Sequence, residues 1–375
     1  MSVYSEEVVS EKVGAIGFIT LNRPKALNAL SLPMVRELTH VLRGFEVDSD
    51  VLAVVIRGSN KEGPFGAFCA GGDIRYFHQA ALSGDASLED FFTEEYNLNH
   101  IIHTYTKPYI ALMDGIVMGG GMGLSQGIAL RLVTERTQMA MPETQIGLFP
   151  DVGGGYFLSR CPGNTGEYLA LTGQLLRGAE SLAVGLADVC IDSQALSALW
   201  DGLKSKQWKH GDDVVTWVKE QASSVPASPA WLNAHIDTVF RLPTVNQMVD
   251  ALGQMVLNEP EGWAADTLKA LRQRSPLLLA VSLEQIRRGR TMGLSDELRM
   301  ERDMVRHCFH ADHLSRRGAQ TDTAEGIRAL VIDKDRQPKW IPATIEEITP
   351  DMVQPFFLSP WPTALHPLRH LVDSY

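Results

Sequence analysis

Cysteine is scarce in this chain. Its four cysteines, Cys69, Cys161, Cys190 and Cys308, are scattered over 375 residues and none belongs to a CxxC pair. That is too sparse for a disulfide scaffold, so a reducing compartment is expected. Basic residues are also in short supply, with 34 Lys+Arg against 45 Asp+Glu and a net charge of −11. Such a surface repels phosphate backbones except at local basic patches, which disfavours a general nucleic-acid binder. Long hydrophobic runs are missing. The stretch Gly115 to Leu130 is uncharged but holds six glycines in 16 residues, too short and too glycine-rich to span a bilayer. The N-terminus, Met1 to Glu7, has neither a basic nor an apolar leader segment, nor the arginine-rich look of a transit peptide. No membrane association is expected, and the chain reads as soluble and cytoplasmic. What is present is a composition of 45% hydrophobic and 21% charged residues, which excludes disorder as the main state. At this length, two domains or one large domain with an extension are expected.

Charge and composition change near residue 200. Residues 1–200 carry a net charge of −9 and residues 201–375 only −2, and beyond the boundary glycine thins and helix-like periodicity takes over. The first part alternates short strands with helices. Strands are predicted at Ala15–Leu21, Val51–Ile56, Tyr109–Met113 and Leu130–Thr134. Ser31 suits the N-cap of a helix carrying Met34, Val35, Leu38, Val41, Leu42 and Phe45 on one face, and a second helix is predicted over Glu89–His103. In the second part, Ser223–Pro229 and the proline-bearing tail read as hinges, and long amphipathic patterns run over Leu268–Leu294 and Glu297–Leu314.

Four segments could carry chemistry. In Phe68-Cys69-Ala70-Gly71-Gly72-Asp73-Ile74 a strand ends at small residues and a helix begins near Asp73, so backbone N–H groups face outward. A plain glycine turn is the bland alternative. Met118-Gly119-Gly120-Gly121-Met122-Gly123 repeats that pattern without fitting a GxGxxG or a Walker A register. Two such junctions can supply the paired N–H donors of an oxyanion hole. Between Met141 and Gly155, Glu143 and Asp151 sit in apolar surroundings that would raise a carboxyl pKa toward the range of a general base; ordinary loop acids are the alternative. On the Glu89–His103 helix, one of Glu94 and Glu95 can face solvent and the other inward. Gly123-Leu124-Ser125-Gln126-Gly127 matches GxSxG formally, but Ser125 lies inside the presumed helix instead of at the turn after a strand, so a satisfied helical serine is the better reading. His307, His310 and His313 point to different sides of a helix and cannot meet on one metal without distortion, so no metal site is read there.

Taken together, Leu21–Leu30, Phe68–Ile74 and Gly115–Gly121 closely resemble the crotonase (enoyl-CoA hydratase/isomerase) superfamily. Met141–Leu158 and Gly326–Trp340 narrow the resemblance to its 3-hydroxyisobutyryl-CoA hydrolase branch, and the similarity runs from about Val8 to about Ile341. The resemblance implies an α/β fold: a crotonase-like right-handed spiral of ββα repeats with the active site in residues 1–200, and a mainly helical region in 201–375. It places the two oxyanion-hole donors on Gly72 and Gly120, and substrate contacts on Glu95, Gly120, Glu143 and Asp151. The turns holding Lys25, Ala26 and Leu27, and Ala70, Asp73 and Ile74, would line the adenine and pantetheine of CoA. CoA enters as part of the substrate, so no separate cofactor is expected. Relatives of this kind often form trimers, so a homo-oligomer is possible here, although the C-terminal extension could replace that contact.

Hydratases of this superfamily use two glutamates. The second matches Glu143, whereas the position of the first is occupied by Gly123, and Asp151 stands where hydratases usually carry glycine. This pattern fits hydrolysis of a short 3-hydroxyacyl-CoA thioester, with 3-hydroxyisobutyryl-CoA of valine breakdown as the leading substrate. Glu143 would activate water or attack the thioester carbonyl itself. Asp151 would orient the attack and assist the leaving thiolate, and Glu95 would accept a hydrogen bond from the substrate hydroxyl. Arg287, Arg288 and Arg290, in a segment (269–317) of net charge +5, are candidates for the ADP phosphates, with a solvated helix face as the alternative. The rival readings are a hydratase or isomerase, a serine thioesterase using Ser125, and a non-catalytic acyl-CoA-binding subunit.

Overall fold

The computed structural model describes residues 6–223, 229 and 231–373. The hinge expected over Ser223–Pro229 falls almost wholly outside these residues. The chain opens with an antiparallel pair, β1 (Val8–Val13) and β2 (Ile16–Leu21). β3 (Ala53–Gly58), β4 (Tyr109–Met113), β6 (Leu130–Thr134) and β9 (Val189–Ile191) then add in parallel, giving the order β1-β2-β3-β4-β6-β9. A smaller sheet stacks β5 (Ile116–Met118), β7 (Gln138–Ala140) and β8 (Leu176–Arg177). The chain passes from β4 into β5, and from β6 into β7, after a sharp corner. These two turns of the spiral each leave one strand in the large sheet and one in the small sheet, and the expected ββα architecture is present.

The strands are apolar because both faces of the large sheet are buried. Alternate side chains sort to opposite sides. Ile19, Leu21, Val54, Ile56, Ala111 and Val133 enter the main core, while Ile16, Phe18, Val55, Ile110, Leu112 and Leu132 face a second cluster. That second cluster is closed by Leu199, Trp200, Val214 and Val218 of two helices spanning Leu196–Ser205 and Gly211–Lys219.

The helices on the main-core side position the site. α1 (Leu32–Val47) starts at the Ser31 cap, whose hydroxyl accepts from the Met34 N–H, and buries Met34, Val35, Leu38, Val41 and Leu42. α2 (Ile74–Ser83) is capped by Asp73, and α3 (Ser87–His103) buries Phe91, Phe92, Glu95 and Tyr96. Of the later helices, Pro276–Gly289 and Leu294–Phe309 pack in the same core as the glycine turns. The amphipathic pattern expected to run from Leu268 to Leu294 is two helices. The first, Trp263–Gln273, stops because Pro276 cannot continue it, and Ser275 caps the next.

Candidate active site

The Arg23–Leu30 turn is held by Asn28, a fully buried residue at φ 57°. Its amide donates to the carbonyls of Ser59, Ala67 and Phe68, and its Oδ1 accepts from the Arg23 N–H. The turn therefore lies against the Ala70–Ile74 segment, with the Ala70 N–H donating to the Leu27 carbonyl. A parallel bridge pairs Leu30 with Gly72. It uses the Gly71 carbonyl and the Asp73 N–H, which leaves the Gly72 N–H directed to the opposite side. The second turn lies on that side. Gly120 begins the short helix α4 (Gly120–Gly123), so its N–H has no acceptor within the helix. A side chain on Gly120 would strike Glu95 Oε1 at 2.7 Å and Leu30 Cδ1 at 3.0 Å.

Gly72 and Gly120 line one cavity of about 200 Å³ together with Glu95, Glu143 and Asp151. Ile74, Gln145 and Leu330, which are partly or fully exposed, mark its mouth; Phe77, Leu148 and Val152 close its buried end. Glu95 is 2% exposed, and Glu143 and Asp151 are each 6% exposed. Glu94, its neighbour on α3, turns outward and pairs with Arg36. Glu95 Oε1 and Glu143 Oε2 are buried without a hydrogen-bond partner among the described residues. An unsatisfied buried acceptor costs roughly 1–3 kcal/mol, so these oxygens stand ready for a donor brought by a ligand.

The electrostatics follow from burial. Desolvation pushes Asp151 up to about 7, opposed by the hydrogen bond from the Tyr96 hydroxyl at 2.9 Å. Glu143 is held well above the usual carboxylate range, first by burial and then by repulsion from Asp151. Burial raises Glu95 likewise, with Asp151 and Glu143 adding to the effect. Three acids around one cavity cannot all ionise together, so protons are retained there near neutral pH and shared.

Two supports come from the C-terminal helices. The loop after Asp151 turns back sharply, the Gly154 N–H donating to the Asp151 carbonyl. Glu301, fully buried on Leu294–Phe309, accepts from the N–H groups of Gly153 and Gly155 and from the Gln285 amide. Gln285 also donates to the Pro150 carbonyl, and Glu297 lies beside Gly155. On the other flank, the helix Asp322–Ile327 sets Gly326 against the backbone of Ile146, and the Thr323 hydroxyl donates to the Gly147 carbonyl. That contact steadies the turn Glu143–Ile146 and brings Leu330 to the cavity. Sequence reasoning missed Tyr96, Gln285, Glu297, Glu301 and Leu330. The i, i+4 spacing of Glu297 and Glu301, in phase with Leu294, Leu298 and Val305, is the available signal for the two acids.

Of the residues proposed to line CoA, Ala70 and Ile74 reach the cavity wall. Lys25 and Leu27 are exposed on the adjoining turn, and Asp73 is engaged by Arg23 and the Tyr76 N–H. Arg287, Arg288 and Arg290 do not line the cavity. Arg287 donates to the Leu242 and Pro243 carbonyls, Arg288 pairs with Glu284, and Arg290 holds the buried Glu167, so the segment's basic character goes into helix packing. Ser125 does not lie inside a helix as expected, because α4 ends at Gly123; it sits in the turn that follows, fully buried, and is satisfied there by its hydroxyl donating to the Gly121 and Met122 carbonyls. Gly123 packs tightly. A side chain there would meet the Asn99 amide and Val152 Cβ at 2.7 Å, leaving no room for a second glutamate without rearrangement.

Two glycine turns facing buried acids across a spiral of ββα units define an acyl-CoA-handling protein, and the chain belongs to the enoyl-CoA hydratase/isomerase family, whose family model matches residues 16–357. Within that family it is 39% identical to a 3-hydroxyisobutyryl-CoA hydrolase, named as mitochondrial, of Gallus gallus, over 94% of this chain and 88% of the relative. It is 40% identical to a probable 3-hydroxyisobutyryl-CoA hydrolase of Arabidopsis thaliana, over 95% and 92% of the two chains. Among solved structures it resembles a carnitinyl-CoA dehydratase from Mycobacterium thermoresistibile, with a TM-score of 0.83 and 35% identity over 94% of this chain and 97% of that one. An enoyl-CoA hydratase from Rhodobacter sphaeroides superposes with a TM-score of 0.81 and 36% identity over 95% and 98%. No helix among the described residues is long and apolar enough to cross a membrane.

Proposed function

We propose that the protein hydrolyses a short 3-hydroxyacyl-CoA thioester, 3-hydroxyisobutyryl-CoA of valine breakdown being the leading candidate, to the free hydroxy acid and CoA. The observation that carries this reading is the meeting of Gly72, Gly120, Glu143 and Asp151 around one cavity, with Gly123 closed to a second glutamate. The names of the hydrolase relatives support it.

In this mechanism the Gly72 and Gly120 N–H groups hold the thioester oxygen as it gains charge. Losing one such donor typically costs about 2.7–4 kcal/mol. Glu143 in its ionised form takes the proton of an attacking water, or attacks the carbonyl directly to form an anhydride that water then opens to the free acid. Asp151 carries the proton that the buried acids share whenever Glu143 is ionised, and delivers it to the departing thiolate. Glu95 accepts a hydrogen bond from the 3-hydroxyl. The turn at Lys25–Leu27 and the Ala70–Ile74 segment carry the CoA moiety, and no separate cofactor is called for.

A panel of acyl-CoA esters scored for free CoA with a thiol-reactive dye tests the reading. Release should be fastest with short 3-hydroxyacyl esters. Hydration or dehydration without free thiol would overturn it in favour of the activities named for the structural relatives.

A further inference from the structure

Behind the catalytic cavity lies a second one of about 160 Å³. Its wall includes Asn99, Gly123, Phe157, Leu186 and Leu294. Among the described residues Val152 alone lines both spaces. Asn99 is 5% exposed, and neither atom of its side-chain amide has a hydrogen-bond partner among the described residues; on its far side this space reaches the surface at the exposed Gly127, Arg160 and Gly185.

Val152 itself is unusual. It is a β-branched residue at φ 57°, a backbone conformation that valine rarely adopts. Strain of this kind persists where the surroundings over-determine it. Here the hydrogen bond that closes the turn from Asp151 to Gly154 and the clamp of Glu301 on Gly153 hold the turn. The strained conformation sets the valine side chain against Gly123, between the two cavities. A ligand whose carbonyl sits at Gly72 and Gly120 must direct its acyl end away from the mouth at Gln145 and Leu330, and so toward Val152.

We propose that Val152 is the end wall of the acyl chamber and limits the enzyme to short acyl groups, and that the space behind it accepts the tail of a longer 3-hydroxyacyl chain once the wall is cut back. This rests on the hydrolase reading. Along Phe157, Leu186 and Leu294 the tail would find apolar cover.

The experiment compares 3-hydroxybutyryl-CoA with 3-hydroxyoctanoyl-CoA, by free-CoA release, in wild type, Val152→Ala and Val152→Gly. Glycine accepts the positive φ freely, so Val152→Gly preserves the turn, and alanine provides a second truncation. The ratio of kcat/KM for the longer ester over the shorter should rise at least about tenfold in either variant, the scale set by a methylene's worth of pocket. Val152→Thr, which keeps both branches on Cβ, should retain the wild-type ratio. An unchanged ratio in the truncated variants, with wild type still releasing CoA from the short ester, overturns the proposal alone. Absence of thiol release from either ester in wild type overturns the hydrolase reading beneath it.

Discussion

The Tyr96 hydroxyl donates a 2.9 Å hydrogen bond to Asp151 Oδ2, joining the inner face of α3 to the turn that ends the catalytic segment. The tyrosine is fully buried, so this contact belongs to the interior of the site. It stabilises the ionised carboxylate and so opposes the burial that raises Asp151. Replacing Tyr96 with Phe removes that opposition. The limb of the pH–rate profile that reports Asp151 is expected to move to higher pH by about one unit, so Asp151 keeps its proton further into the alkaline range and turnover at about pH 8 rises relative to wild type. A profile of kcat/KM against pH for Tyr96→Phe checks this.

Burial of Asp151 also makes stability depend on pH. Its folded-state pKa of about 7 lies above the ordinary 3.8, so the folded state binds the proton more tightly than the unfolded chain. Stability from this group is complete below about pH 4 and is lost as pH rises toward 7. Asp151→Asn should therefore be more stable than wild type at about pH 8, by of order 2 kcal/mol, with the gain vanishing near pH 4. Thermal melts at the two pH values decide it.

Glu143→Gln keeps the shape of the side chain but removes the base. Its kcat for thiol release is expected to fall by about 10²–10⁴ with the cavity intact. A near-normal kcat in the dye assay would remove Glu143 from the chemistry.

Glu95 faces Gly120 with an unpartnered oxygen, which suits recognition of a hydroxyl near the carbonyl. Glu95→Ala should lower the preference for hydroxylated over deoxy acyl-CoA about tenfold or more. A variant that keeps the wild-type preference would show that the hydroxyl is read elsewhere.

Glu301→Ala strands two backbone N–H groups in the interior and removes one of the acceptors of the Gln285 amide. Urea unfolding should show a loss of roughly 2–4 kcal/mol. Turnover should fall as well, because the turn carrying Asp151 loses its anchor.

Much of the spiral can be read from local pattern. Unbroken apolar strands such as Val54–Ile56 mark a sheet buried on both faces, and the Ser31 cap with its 3–4 spacing marks α1. Glu143 and Asp151 are legible as acids in apolar company, whereas local pattern leaves Glu94 and Glu95 open and only the family resemblance singles out Glu95. The support of the site is less legible, because it depends on contacts distant in sequence. Glu301 sits among Arg299, Arg302 and Arg306, where charge suggests a solvated surface, yet it is fully buried against Gly153. Arg287, Arg288 and Arg290 mislead in the opposite sense: their charge suggests a ligand, but their guanidinium groups hold protein carbonyls and carboxylates. The break before Pro276 is plain in the residues themselves. Periodicity over Leu268–Leu294 hides it, because apolar residues follow helical spacing on both sides of the break.

The hold of Glu301 on Gly153, and the arrival of Leu330 at the cavity mouth, have a consequence for biosynthesis. Glu95, Glu143 and Asp151, which line the cavity, have all been translated by residue 151, but the parts that set that segment in place come more than a hundred residues later. A ribosome-bound chain that has exposed only the spiral carries an unbraced Asp151 turn, and the cavity is complete only once residues 301 and 330 have emerged.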